Sequence, residues 1–323
     1  MARILVTGGL GVVGAGLVRE LRERHHEVIA CDLAHQPDEA AFGLHGDLRE
    51  PRYARCDVGE FRQLARLFDH FGRFDYVFHC AAEFGRWNGE DFYETLWRTN
   101  VIGTKHLLRL QESQRFRLVH FSSSEIYGDY PHLMVEHITD DVEIKQLNDY
   151  AISKWVNEMQ IRNAAAQRGV ECVVVRLFNT YGPGEYYSPY RSVNCRFLYC
   201  ALHGLPWTVY RGHARTSTFL ADTVRTVANI VENFKPGETY NIGGDQLHTI
   251  EELSDAVLKV TGASPTLVRY AESEPLTTKT KLVDTSKAVR DLDHRNTYSL
   301  EEGLRITADW MRRVYKPDAS RLT

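Results

Sequence analysis

The chain has 323 residues, of which 43% are hydrophobic and 25% charged, with a formal net charge of -4 and a pI near 6.4. That is an ordinary globular composition, long enough for two packed units, with no sign of a nucleic-acid surface and no apolar run as long as a membrane span. The six cysteines (31, 56, 80, 172, 195 and 200) are scattered and form neither a CxxC pair nor a His/Cys cluster, so reduced buried thiols and no metal are expected, with the cytoplasm as the expected location.

In chain order, the first half alternates short apolar runs with amphipathic stretches. The runs are 3–8, 27–32, 74–82, 117–123 and 171–178; helical periodicity marks 12–24, 59–71, 95–113 and 150–167. Continuous apolar strands alternating with helices predict an α/β fold, a Rossmann-type doubly wound parallel sheet covered on both faces. After Asn179 the rhythm changes. The stretch 180–192 is rich in Gly, Pro, Tyr and Ser and reads as a loop into a smaller C-terminal unit. The expected division is 1–178 for a dinucleotide-binding domain and 179–323 for a substrate-binding domain, with segments in about 216–244 returning to the sheet. A strand-like run at 238–244 and helices near 249–261 and 299–314 follow, and the tail after Tyr315 is expected to fray.

The first βα junction, "VTGGLGVVG", carries Gly8, Gly11 and Gly14, with Val12 and Val13 opening the helix. Glycines there let the backbone turn tightly and approach a pyrophosphate seated on the helix N-terminus. The second strand ends in Asp32, eighteen residues after Gly14. A carboxylate at that point accepts hydrogen bonds from the adenosine ribose hydroxyls and repels a 2'-phosphate, which favours NAD over NADP. Its alternative is a solvated charge at a strand end. Asp57 and Val58 are candidates to meet the adenine.

Downstream, "YAISK" sets Tyr150 and Lys154 four apart on one helix face. A lysine ammonium beside a phenol lowers its pKa, and such a tyrosinate takes a proton from a sugar hydroxyl while hydride leaves the same carbon. On its own the pattern is common on exposed helices. Its weight comes from the strand ending in "SSS" before it and the glycine loop upstream. His79 and His120, inside apolar strands, read as core histidines.

Taken in order, TGGxGxxG, Asp32, "HCAA", "NVIGT", "SSSEIYG", "YAISK" and "RLFNTYGPG" resemble the extended short-chain dehydrogenase/reductase family, and within it the NAD-dependent nucleotide-sugar epimerase/dehydratase group. The resemblance spans nearly the whole chain and is strongest through residue 184. It implies an NAD that is reduced and reoxidised within one turnover. By position, Ser123 matches the Ser/Thr that holds the reacting hydroxyl, Tyr150 and Lys154 the catalytic pair, and Asn100 the asparagine that supports the site. Ala81 and Ala82 match the cofactor-lining turn. Asn179 and Arg215 match the residues that hold the substrate diphosphate, since "RTSTFLAD" keeps the family's spacing from the arginine to Asp222. Singly, Asn179 is also a plausible turn residue and Arg215 a plausible surface charge.

Glu125, two residues after Ser123, separates the chemistries. Simple 4-epimerases of the family carry no acid there; dehydratases and decarboxylases typically do. Once C4 is a ketone, the C5 hydrogen is acidic, and a carboxylate removes it as the C6 hydroxyl departs. Many dehydratases place an aspartate before that glutamate as the acid, whereas this chain has Ser124. The favoured expectation is a 4,6-dehydratase with Glu125 as the C5 base. The alternatives are a 4-epimerase, a uronate decarboxylase and, from another class, a catalytically silent NAD-binding regulator. Glu125 as a structural partner of the cofactor or a nearby loop also stays open. After "HCAAE", "FGRWNGED" departs from the dehydratase pattern. Arg86 there is a candidate for the sugar, as are Tyr186, Tyr187, Arg191 and Asn194 in the tyrosine-rich stretch. Packing at the seam between the units explains those tyrosines equally well. The expected partner is a nucleotide-diphosphate sugar, and the family often pairs its 95–113 and 150–167 helices in a homodimer.

Overall fold

The computed structural model describes residues 1–34 and 52–315; the tail beyond Tyr315, where fraying is expected, lies outside them. β1 (Arg3–Thr7), α1 (Val12–Glu23), β2 (Glu27–Asp32), β3 (Tyr53–Arg55), α2 (Phe61–Phe71), β4 (Tyr76–His79), α3 (Gly103–Gln114), β5 (Arg117–Ser123), α4 (Asp149–Arg168) and β6 (Cys172–Leu177) make the doubly wound unit. The C-terminal half adds α5 (Val193–Leu202), α6 (Leu220–Ala228), β7 (Thr239–Ile242), α7 (Ile250–Thr261) and α8 (Leu300–Val314). Seven parallel strands run in the order β7-β6-β5-β4-β1-β2-β3.

The strands are apolar throughout because successive side chains feed opposite faces of the sheet. Ile4, Val6, Val28, Phe78, Val119 and Val175 enter one core with α1 and α6; Leu5, Ile29, Val77, Leu118 and Val174 enter the other with α2, α3 and α4. Each such buried aliphatic side chain contributes about 1.5–3 kcal/mol, so a charge at Leu5 or Val119 would break a face. α6 and β7 return to this unit, as does the helix Ser286–Leu292, whose Ala288 and Leu292 enter the first core. That last return carries no signal in the sequence pattern. β3 is another addition: three residues, two half-buried and one exposed, are too short to show a period. The stretch 95–113 is not one helix, since a π-helical turn at Trp97–Ile102 precedes α3.

The chain leaves β1 towards β2 and β3, then crosses back to β4 on the other side of β1, which makes the β1/β4 boundary a switch point where ligands bind. Over it sits the second unit, built on Phe197, Trp207, Leu253, Leu304 and Trp310 from α5, α7, α8 and the strand Trp207–Tyr210. Leu282–Val283 of the C-terminal half runs parallel to Leu133–Met134 and ties the units together, and Ala214–Thr216 pairs antiparallel with Leu247–Thr249 within the C-terminal half. Among the described residues no helix is long and apolar enough to cross a membrane.

Candidate active site

A cleft of about 800 Å3 opens over the carboxyl ends of β1, β4 and β5. It is lined by Gly8, Gly11, Val12, Val13, Gly14, Asp32, Asp57, Val58, Ala81, Ala82, Arg86, Ser123, Ser124, Glu125, Tyr150, Lys154, Asn179, Arg191 and Arg215. Two expected contacts stand back from it. Asn100, in the π-helical turn, spends its amide on Glu83 N, Glu83 O and Ser153 Oγ, so it braces the turn after β4 against α4 from behind. Asn194 is fully buried and bonds Ser217 Oγ.

At the cofactor end the glycines are required by space. A Cβ on Gly14 would stand 2.1 Å from Gly8 O, and one on Gly8, at φ +67°, would stand 2.6 Å from Ala81 N. Gly11 caps α1 without a side-chain bond, and the first turn holds no acid, so the Val12–Gly14 N–H groups point to an anion unopposed. Asp32 is pinned beside this loop, its carboxylate accepting from Leu10 N at 3.0 Å and Leu33 N at 2.7 Å. Asp57 accepts from Gly59 N and from Arg98, which fixes that wall of the cleft. A tight loop, a free helix start and a carboxylate one strand away fit a dinucleotide without a 2'-phosphate.

The strand-to-turn junction after β5 explains why a serine and a glutamate stand two apart. Ser123 caps the 3-10 turn Ser124–Tyr127, its Oγ accepting the Glu125 N–H at 3.2 Å, so both side chains are aimed from one rigid corner. α4 presents Tyr150 to the same corner; its cap is Asn148, which accepts from Ala151 N. The expected coupling of Lys154 to Tyr150 takes a different form. Lys154 Nζ donates to Phe121 O at 2.8 Å and lies 5.8 Å from the Tyr150 ring centre. Burial pushes the phenol up to about 12, with the Ser123 hydrogen bond the one opposing effect. Burial brings the Lys154 ammonium down to about 8. Burial thus favours the protonated phenol, and the positive charge of an oxidised nicotinamide in the cleft would act to lower it.

Glu125 is held by partners from distant parts of the chain. Lys281, 2% exposed, forms an ion pair with Oε1, and Asn148 Nδ2 donates to Oε2 at 3.3 Å. Burial alone would raise the carboxyl, but Lys281, then Arg86 and Arg215, outweigh it and hold it at about 2. Lys281 is itself lowered to about 8, by burial above all. Neither Lys281 nor Asn148 was legible as a site residue. Asn148 carried a usable signal as the N-cap of the "DYAISK" helix; Lys281, far away in "TTKTK", carried none.

Two of the substrate candidates, Arg86 and Arg215, are held by the segment 274–279. Arg86 donates to Glu274 Oε1 at 2.8 Å and to Pro275 O. Arg215 is not free for a phosphate: its Nη1 donates to Ala214 O and Lys279 O, and its Nη2 to Thr277 Oγ1 and Thr278 O. All four terminal N–H groups are spent, leaving Nε. Asn179, at φ +43°, donates to Thr216 O, and the Arg191 guanidinium lies 4.2 Å over the Phe84 ring.

The family model for the NAD-dependent epimerase/dehydratase family matches residues 4–243. The chain is 29% identical to a dTDP-glucose 4,6-dehydratase of Neisseria meningitidis over 96% of this chain and 93% of that one. It is 27% identical to a UDP-N-acetyl-alpha-D-glucosaminuronate decarboxylase of Bacillus cytotoxicus, covering 97% and 98%. The Thermus thermophilus UDP-glucose 4-epimerase, solved with NAD, superposes with a TM-score of 0.83 at 26% identity, covering 96% of this chain and 99% of that one.

Proposed function

The chain belongs to the NAD-dependent epimerase/dehydratase family, an enzyme family, and on that footing we propose that it oxidises C4 of a nucleotide-diphosphate sugar and then eliminates water across C5–C6. Bound NAD supplies the hydride acceptor for the first step and the donor that closes the cycle. Tyr150 takes the proton of the C4 hydroxyl while Ser123 holds that oxygen, and Lys154 adds positive charge beneath them. The resulting ketone acidifies C5–H. The observation that carries the second step is Glu125: an ionised carboxylate lining the same cleft and fixed to Ser123 through its own N–H.

A second reading is favoured by the cations around that carboxylate. Arg86 lines the cleft and acts on Glu125, so it would give countercharge to a C6 carboxylate of a uronic acid, and a 4-ketone loses such a carboxylate as CO2. One experiment separates the readings. The protein is incubated in D2O with UDP-, GDP-, CDP- and dTDP-glucose and with UDP-glucuronate, and products are read by NMR. A 4-keto-6-deoxy product with deuterium at C5 supports elimination. A pentose product supports decarboxylation. A C4 epimer without solvent label sinks both.

A further inference from the structure

Elimination from a 4-ketone needs a base at C5 and an acid at the C6 oxygen, because hydroxide is a poor leaving group. Among the described residues, the cleft side chains Ser124, Arg86, Arg215, Tyr150 and Glu274 supply no acid for that oxygen. Ser124 is an alcohol, Arg86 and Arg215 do not release protons, Tyr150 belongs to O4, and Glu274 is bound to Arg86. What the corner has instead is Lys281. It is held rigidly: its N–H donates to Ala214 O, and the strand Leu282–Val283 that follows is paired to Leu133–Met134. Its ammonium is buried against Glu125 Oε1 and stands outside the cleft lining.

We infer that Lys281 is the positioning residue that lets one carboxylate do both jobs: Glu125, held against the Lys281 ammonium, takes the C5 proton and hands the same proton to the departing C6 hydroxyl. The inference rests on the elimination reading above. The step balances within the substrate. The C5–H bond breaks to give an enolate and a protonated Glu125; the C6–O bond then breaks as that proton moves to the oxygen. The products are water and the 4-keto-5,6-ene, with Glu125 ionised again. A carboxylic acid pressed against an ammonium surrenders its proton readily, which is the property a leaving hydroxyl requires and a free glutamate lacks. The same neighbour weakens Glu125 as a base, and the acidity of C5–H beside a ketone tolerates that.

The test compares leaving groups. Wild type and Lys281→Met are given the nucleotide-glucose that the wild type turns over fastest, among the UDP, GDP, CDP and dTDP forms, and its 6-deoxy-6-fluoro analogue. Fluoride departs without full protonation; hydroxide does not. The expected result is a fall of about 100-fold or more for the 6-hydroxy sugar and less than about 10-fold for the 6-fluoro sugar, the size of a lost general acid. Lys281→Arg restores most of the hydroxide rate. NADH absorbance from the C4 step serves as the folding control, and Lys281→Gln replaces the Met variant if that one does not fold. Equal losses on both sugars, or no loss, overturn the inference while leaving elimination standing. Wild type that accumulates keto-sugar without elimination, or turns over none of the four, overturns elimination and the inference together.

Discussion

Lys281 forms its ion pair with Glu125 across 156 residues of chain, one from the segment before Leu282–Val283 and the other from the turn that ends β5. Their side chains are 2% and 18% exposed, so little water screens the pair. The contact ties the second unit to the corner that also carries Ser123, and Asn148 adds a second strut by bonding both Glu125 and Leu276 O.

Breaking such a pair from one side leaves a buried charge without a partner. Lys281→Met or Glu125→Gln alone should each cost about 3 kcal/mol of unfolding free energy at pH 7, and the double variant should recover most of it. Denaturant titration of the three proteins measures the coupling; simple additivity would show the two charges to be independent. The pH sense follows from the carboxyl being lowered from its ordinary 4.5 to about 2. Its contribution is complete above the ordinary carboxylate range and is lost as pH falls from about 4.5 towards 2.

Glu125→Gln should also divide the reaction. In the proposed reaction C4 oxidation uses Ser123, Tyr150 and Lys154, none of which the change removes, whereas the C5 step uses the carboxylate. NADH formation in a single turnover should stay within about 10-fold of wild type, while deuterium incorporation at C5 falls by roughly 100- to 10,000-fold. A variant that loses both equally would show Glu125 to be a structural support for the corner.

Asp32 lines the cleft beside the glycine loop, where the proposed reading has it select the dinucleotide. Its carboxylate already accepts the Leu10 and Leu33 N–H groups, and it retains lone pairs for two ribose hydroxyls. Asp32→Ala should weaken NAD by roughly 10- to 100-fold, the value of hydrogen bonds to a charged group, and should narrow the gap to NADP because the repulsion of a 2'-phosphate is gone. Calorimetric titration with each dinucleotide reads both effects. An unchanged ratio of the two affinities would remove Asp32 from the discrimination.

The parts of this site that were legible in the sequence are those whose constraint is local. Gly14 faces the Gly8 backbone within one loop, Ser123 and Glu125 share one turn, and Tyr150 and Lys154 share one helix face, so spacing along the chain is spacing in the cleft. What escaped is long-range. Lys281 reaches Glu125 through its N–H bond to Ala214 O and the pairing of two-residue strands, and nothing in "TTKTK" distinguishes a buried lysine from a solvated one. Arg215 had the expected position, but its donors are spent on 277–279, a fact that depends on where a distant segment lies. Tyr150 and Lys154 were paired by spacing, while the direction of the ammonium was set by Phe121 O on a neighbouring strand.

The last prediction turns on the acid limb of the pH profile. Glu125 must be ionised to accept the C5 proton, so the rate of C5 exchange falls as pH drops through its pKa. In the wild type burial pushes that carboxyl up, but Lys281 foremost, with Arg86 and Arg215, holds it at about 2, and exchange should be flat down to the acid edge of stability. Lys281→Met removes the largest of the opposing charges and leaves the burial. The carboxyl then rises, and an acid limb should enter the accessible range, with exchange falling tenfold per pH unit below it. Lys281→Arg keeps a cation at the same place and should keep the profile flat. The C4 oxidation half-reaction, which does not use Glu125, should show no such limb in any of the three proteins. If the Met variant loses rate equally at every pH, Lys281 acts on the shape of the corner alone, and its charge has no part in the chemistry at C5.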